Sequence, residues 1–265
     1  TKIRITMLIQ SAIFVGWMSA IQFQFNEDDV VTVISIVAGI YWALMGSLLV
    51  GEIGFLSQRV RRTLPKPGLG RILFTLFNPG GGTGYFFTLC NLAAVLLVAN
   101  GIFALMSDRF NGGASLMVGA LILMYVTSYL GVTRLLVAYT ARWAQPGPMG
   151  SFVITVVLAI IGCLIPWAFQ LLLWRVFGDD YTIIQTPNWM WTLIEAVDNR
   201  GRHDVVAAAL IMAVVSLIIV AANLIVGAKE VDQQHLALPQ RVLEEDLAKS
   251  PPPAAEPKVH PLDGV

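Results

Sequence analysis

The chain has 265 residues, of which 56% are hydrophobic and 13% charged, and its mean hydropathy is +0.71. Soluble domains carry about 25% charged residues, so the composition excludes an ordinary soluble protein and indicates a large surface in contact with lipid. The 17 basic and 17 acidic residues give a formal net charge of zero, which argues against nucleic acid as a partner.

Six stretches are long and apolar enough to cross a hydrocarbon core about 30 Å thick, which takes about 20 helical residues. They are 3–23, 30–56, 85–106, 114–139, 152–174 and 205–227. Each is apolar on all sides, as in helices that face lipid or a bundle core. The sequence therefore predicts an all-α, polytopic integral membrane bundle of six transmembrane helices. We expect a transmembrane domain over 1–228 and a cytoplasmic tail over 229–265 that starts helical and becomes disordered.

The distribution of Lys and Arg predicts the orientation, because positive residues in short loops stay on the cytoplasmic side. Thirteen of the 17 basic residues fall near the termini, after the second stretch or around the end of the fourth. The other side carries four, and its first loop, 26–29, is acidic. Both termini are therefore predicted to be cytoplasmic.

The connection from Ser57 to Gly84 contains the run NPGGGTGYFF, Asn78–Phe87. A phosphate-binding loop would need a Lys and a Ser or Thr after its glycines, whereas Tyr85 and a membrane span follow here. We therefore predict a turn in which Pro79 breaks the preceding segment and the glycines let the backbone bend before the third span.

The same connection is basic at its start and apolar further on. The segment 70–77 is short and mostly apolar, which is typical of an interfacial helix. Two interpretations of the basic residues remain open: contacts with anionic lipid headgroups, or a docking surface for a cytoplasmic partner. The residues that would form the docking surface are Arg59, Arg61, Arg62, Arg71 and Phe74.

The connection between the fifth and sixth spans includes a helical segment, 187–197, with two tryptophans. Asn188 is a candidate N-cap, and Thr186 competes for that role. Tryptophans at this position fit an aromatic anchor at the headgroups. The alternative is a partial re-entrant helix that closes the mouth of a pathway.

Ionisable residues within membrane spans are functional candidates, and Glu52 and Arg134 qualify. We predict similar depths for both, so that they can form an ion pair; the alternative is snorkelling toward the headgroups. The three histidines lie outside the spans and the two cysteines in separate ones, which argues against haem or a metal site. No catalytic residue, metal or cofactor is predicted.

The layout resembles the membrane permeases of type-2 ATP-binding-cassette transporters, a family with six spans and cytoplasmic termini. The run LSQRVRRTLPKPGLGRILFTLFNPGGGTGYFF stands where the family carries a coupling segment, and 179–204 where it carries a membrane-dipping hairpin. The family usually has an amphipathic helix before its first span, where this chain has only Thr1 and Lys2.

The resemblance implies a permease subunit of an ATP-driven exporter in the bacterial inner membrane. Its partners would be a separate ATP-binding-cassette ATPase, a second permease half and membrane lipids. The chain itself would not be an enzyme, and the arginines with Phe74 would couple it to the ATPase. The alternative is a non-catalytic structural or assembly subunit of a larger membrane complex.

Overall fold

The computed structural model describes residues 2–25, 28–52, 76–77, 79–106, 113–141, 143, 146–173, 180–198 and 203–236. Within these ranges the chain is helical and contains no strand, as the sequence predicts. The helices are α1 (Lys2–Phe25), α2 (Asp28–Val50), α3 (Gly81–Met106), α4 (Gly113–Thr140), α5 (Gly147–Leu172), α6 (Trp189–Asp198) and α7 (His203–Leu236), with a short 3-10 turn at Ile183–Gln185.

Six helices in the described part of the chain are long and apolar enough to cross a membrane. They are all of those above except α6, and they match the six predicted stretches. The spans run Lys2–Gln24, Asp29–Val50, Gly81–Ile102, Ser115–Thr140, Gly147–Leu172 and His203–Gly227. The chain is thus an integral membrane protein by the length and composition of its helices.

At two helix ends that differ from the predicted limits, glycines set the boundary. The second helix ends at Val50 and not at 56, since Gly51 forms a turn whose backbone lies against Gly147 and Ser151. The third begins at Gly81 and not at Tyr85, so the glycine-rich run forms the first turn of α3.

Helices α2, α3 and α4 form the centre of the bundle. In an apolar 18-residue stretch of each helix, the share of buried residues is 50%, 44% and 61% for these three, against 11% for α1, 11% for α5 and 22% for α7. The core side chains include Trp42 from α2, Tyr85 and Leu92 from α3, and Leu121 and Leu130 from α4. The peripheral helices therefore present most of their apolar surface to lipid, which explains why they are apolar on all sides.

The chain divides into two compact units, Thr1–Ile225 and Val226–Val265. The first contains α1 to α6 and most of α7. In the second, the described residues are the helical end of α7, to Leu236, so the predicted helical start of the tail is confirmed. Residues 237–265 lie outside the described ranges.

Candidate functional site

A buried arginine near the start of α1 connects three helices. Arg4 is 1% exposed, and its Nη2 donates to Glu52 Oε2 at 2.6 Å, just beyond the end of α2. The same guanidinium donates to the Leu76 carbonyl, to Gly80 O at 3.2 Å and to Thr83 Oγ1 at 3.0 Å. We call Arg4 with these four partners the Arg4 clamp.

The Arg4 clamp holds the chain on both sides of the connection between α2 and α3. Glu52 is the last described residue before 53–75, and Leu76 is the first one after it. A guanidinium presents five N–H donors in a fixed planar fork, so Arg4 alone can bind both sites. The ring of Phe87, 5.7 Å from the guanidinium carbon, adds a cation–π contact from α3.

The glycine-rich run packs closely against the end of α2. Gly80 has φ +154°, a value that favours glycine, and its carbonyl accepts from Gly84 N at 2.8 Å and from Thr83 Oγ1 at 2.9 Å. A methyl group at Gly81 or Gly84 would overlap the carbonyl oxygens of α2. The predicted turn is therefore confined to Pro79 and Gly80, and the later glycines permit helix packing.

The predicted ion pair between Glu52 and Arg134 is corrected by the structure, which pairs Glu52 with Arg4. Arg134 lies deeper in the bundle. Thr133, beside it, contacts Thr155 of α5, whereas Gly51, beside Glu52, packs against Gly147 of α5. Those positions of α5 are eight residues apart, or about 12 Å along a helix, so the two groups lie at different depths.

Arg134 is a second buried cation, 2% exposed, so it does not snorkel toward the headgroups. Its Nη1 donates to the carbonyl of Asn223 at 2.7 Å and to the side-chain Oδ1 at 3.1 Å. Asn223 Nδ2 returns a bond to Gly131 O at 3.2 Å. Since a charge at membrane depth is costly unless it is bound, this group fixes α4 against α7.

The connection between α5 and α7 is built around three buried side-chain amides. Gln185 Nε2 donates to Gln170 Oε1 and to Pro166 O, and Gln185 Oε1 accepts from Asn188 Nδ2 at 3.1 Å. Gln170 Nε2 in turn donates to Asp180 O at 2.9 Å. These bonds tie 180–198, which we call the hairpin, to the last turns of α5.

The hairpin reaches the middle of the bundle. Tyr125 of α4 donates to the carbonyl of Thr186, and Tyr129 to that of Pro187 at 2.8 Å. Tyr125 is 12 residues from the first residue of α4, or about 18 Å along the axis. The ten residues of α6 then carry the chain about 15 Å away from this turn.

The same geometry distinguishes the two interpretations of this connection, an aromatic anchor and a partial re-entrant helix. Asn188 is the N-cap of α6, because its Oδ1 accepts from Trp191 N at 3.2 Å, so the predicted cap is confirmed and Thr186 is not the cap. Trp189 and Trp191 are half-buried and pack against the core. Non-helical backbone at this depth is tolerated where it is buried in protein, and the contacts therefore favour the re-entrant reading over the aromatic anchor.

The proposed coupling residues Arg59, Arg61, Arg62, Arg71 and Phe74 lie outside the described ranges. Arg4, which binds Glu52 and Leu76 at the described ends of this connection, counts in the sequence only as a positive charge near the terminus. Its signal was its place inside an apolar helix, where an ionisable group indicates a specific partner.

The described residues contain no group of three or more His, Cys, Asp and Glu that could hold a metal ion. No protein-family model matches the chain, and no curated protein or solved structure is significantly similar to it.

Proposed function

We propose that this chain is the transmembrane permease subunit of an ATP-driven exporter, acting with a separate ATP-binding-cassette ATPase and a second permease half in a bacterial inner membrane. The observation that carries the proposal is the hairpin, whose turn binds Tyr125 and Tyr129 near the middle of α4. In transporters, interrupted helices at membrane depth occur beside the transport pathway.

The Arg4 clamp supports the same function at the other end of the bundle. A coupling segment must pass a movement of the ATPase to the transmembrane helices, so its ends must be fixed to them. Here one guanidinium binds the chain directly before and directly after 53–75 and belongs itself to α1. A displacement of this connection would therefore act on α1, α2 and α3 together.

The mechanism follows from these two attachments. ATP-driven closure of the ATPase would move the connection through Arg59, Arg61, Arg62, Arg71 and Phe74, and the clamp would pass the movement to three helices. Because α2 also packs against α4 and α5, the movement would be passed on to the two helices that hold the hairpin. The hairpin would then open a path on the opposite side.

Affinity purification of the full-length protein in mild detergent, with mass spectrometry and an ATPase assay of the eluate, tests the proposal. We expect an ATP-binding-cassette ATPase to copurify, and Arg61→Glu with Arg62→Glu to abolish its recovery. Lys2→Glu is the control, because Lys2 is exposed near the Arg4 clamp. Recovery of other membrane subunits without an ATPase would contradict the permease function and support the assembly-subunit alternative.

A further inference from the structure

An apolar groove of about 260 Å³ opens between α2 and α5 in the middle of the bundle. Gly39 and Ala43 of α2 and Ala159 of α5 are small residues in its walls. Trp189 and Leu193 of α6 line it too. We call this space the α2–α5 groove.

The groove exists because α2 and α5 touch at one end and separate toward the other. At the Arg4 clamp end, Ser151 Oγ of α5 donates to the carbonyl of Ser47, and Gly51 packs on Gly147. Further along, α6 lies against α4 and α5. The space between these contacts is bounded along the bundle axis and has its opening toward the side.

The walls of the groove leave little for water to bind. The Thr155 hydroxyl is engaged with Ser151 O at 2.9 Å and with Thr133 Oγ1 at 3.0 Å. Tyr125 and Tyr129 use their hydroxyl protons on the hairpin. A buried water needs two to four polar partners, and the Trp189 indole N–H, a buried donor in the groove lining without a partner among the described residues, supplies a single one. The space therefore suits an apolar occupant better than water.

The position of the groove determines where such an occupant comes from. Ile40 and Leu44, at its edge on α2, are 55% and 44% exposed, and they lie within the span Asp29–Val50. In a bilayer the medium outside these residues is hydrocarbon. The groove therefore opens to lipid chains and not to water.

We propose that the α2–α5 groove binds one acyl chain of a bilayer phospholipid. An acyl chain is favoured because the groove opens sideways within the span Asp29–Val50 and its walls are almost wholly apolar. A bound chain would touch α2, α5 and α6 at once and would thus support the hairpin. This site does not depend on the proposed export function.

Photolabelling of the full-length protein in liposomes tests this site. The probe is phosphatidylcholine with a diazirine near the middle of one acyl chain, and mass spectrometry maps the labelled peptides. We expect labelling at Ile40 and Leu44 to exceed several-fold that at Leu164 of α5 and Leu217 of α7, which are similarly or more exposed. Equal labelling at all four positions would overturn the proposal, because it would indicate bulk lipid only.

A matched pair of variants provides the second measurement. Ala159→Phe fills the groove and should reduce labelling of Ile40 and Leu44 several-fold, whereas Ala221→Phe, at an exposed position of α7, should not change it. Unchanged labelling in Ala159→Phe would overturn the site. A disulfide between two copies of Leu44→Cys in liposomes would also overturn it, because the groove would then face a second copy. The labelling pattern of the wild-type protein decides the question if Ala159→Phe does not fold.

Discussion

Removal of the charge at Arg4 should destabilise the bundle more than removal of any exposed charge nearby. The variant Arg4→Met keeps an unbranched side chain of similar length but removes the cation that pairs with Glu52 and the guanidinium donor to the Leu76 carbonyl. Arg4 is 1% exposed and Glu52 21%. The pair is therefore shielded from water on the arginine side and partly hydrated on the carboxylate side.

The magnitude follows from this partial burial. Removing one partner of a fully buried ion pair costs about 3–5 kcal/mol, and the water that reaches Glu52 lowers this figure. We expect Arg4→Met to cost about 2–4 kcal/mol in the free energy of unfolding. For a chain of this size that corresponds to a loss of about 5–15 °C in Tm.

Thermal unfolding in detergent, followed by tryptophan fluorescence, measures this loss. Lys2→Met is the control, and because Lys2 is exposed we expect a change within about 0.5 kcal/mol. The double variant Arg4→Met with Glu52→Met should lose less than the sum of the single variants, since it leaves no unpaired charge. Two results would show that the Arg4 clamp is not a stabilising ion pair. One is a Tm of Arg4→Met equal to that of Lys2→Met. The other is a loss in the double variant equal to the sum of the losses in Arg4→Met and Glu52→Met.

Three further predictions concern the contacts between helices. Gly84→Ala should cost about 1–3 kcal/mol because the added methyl group overlaps α2. Gly101→Ala should instead stabilise α3 by up to about 1 kcal/mol, since a methyl group there meets no atom within 4 Å. Equal Tm values for the two variants would contradict the close packing at Gly84. Tyr125→Phe with Tyr129→Phe removes two hydrogen bonds worth about 1–3 kcal/mol together, so amide exchange of the hairpin should rise about tenfold while that of α3 stays constant. Asn223→Leu removes the side-chain acceptor Oδ1 of Arg134 and the donor to Gly131 O but keeps the main-chain acceptor, so it should cost about 1–3 kcal/mol. A Tm unchanged from wild type would show that this side chain does not hold α7.

The six spans could be predicted from the sequence because each depends on its own length and composition. The stretch at 114–139, for example, needs no knowledge of its neighbours to be recognised, and α4 agrees with it to within one residue at each end. The end of α2 differs from the predicted limit because it is set by a contact. Gly51 contacts Gly147, which lies 96 positions further along the chain, so no local sequence pattern indicates this contact.

The candidate site was less predictable for the same reason. Glu52 was recognised as a group that needs a partner, but Arg4 and Arg134 were both available, and only the packing of α1 against α3 decides between them. The hairpin was recognised by its tryptophans and by its N-cap at Asn188. Its depth depends on hydroxyl bonds between Tyr125 or Tyr129 and a turn about 60 residues away.

The most direct test of the permease function asks whether ATP acting at the connection changes the hairpin. Ile194, 52% exposed on α6, is replaced by Cys in a chain whose Cys90 and Cys163 are changed to Ala. The rate at which the new thiol reacts with a membrane-impermeant maleimide is measured with and without ATP and vanadate. An ATP-coupled permease predicts a several-fold change in rate that disappears in Arg61→Glu with Arg62→Glu. A rate that is the same with and without nucleotide, in a preparation that retains ATPase, would contradict the permease function.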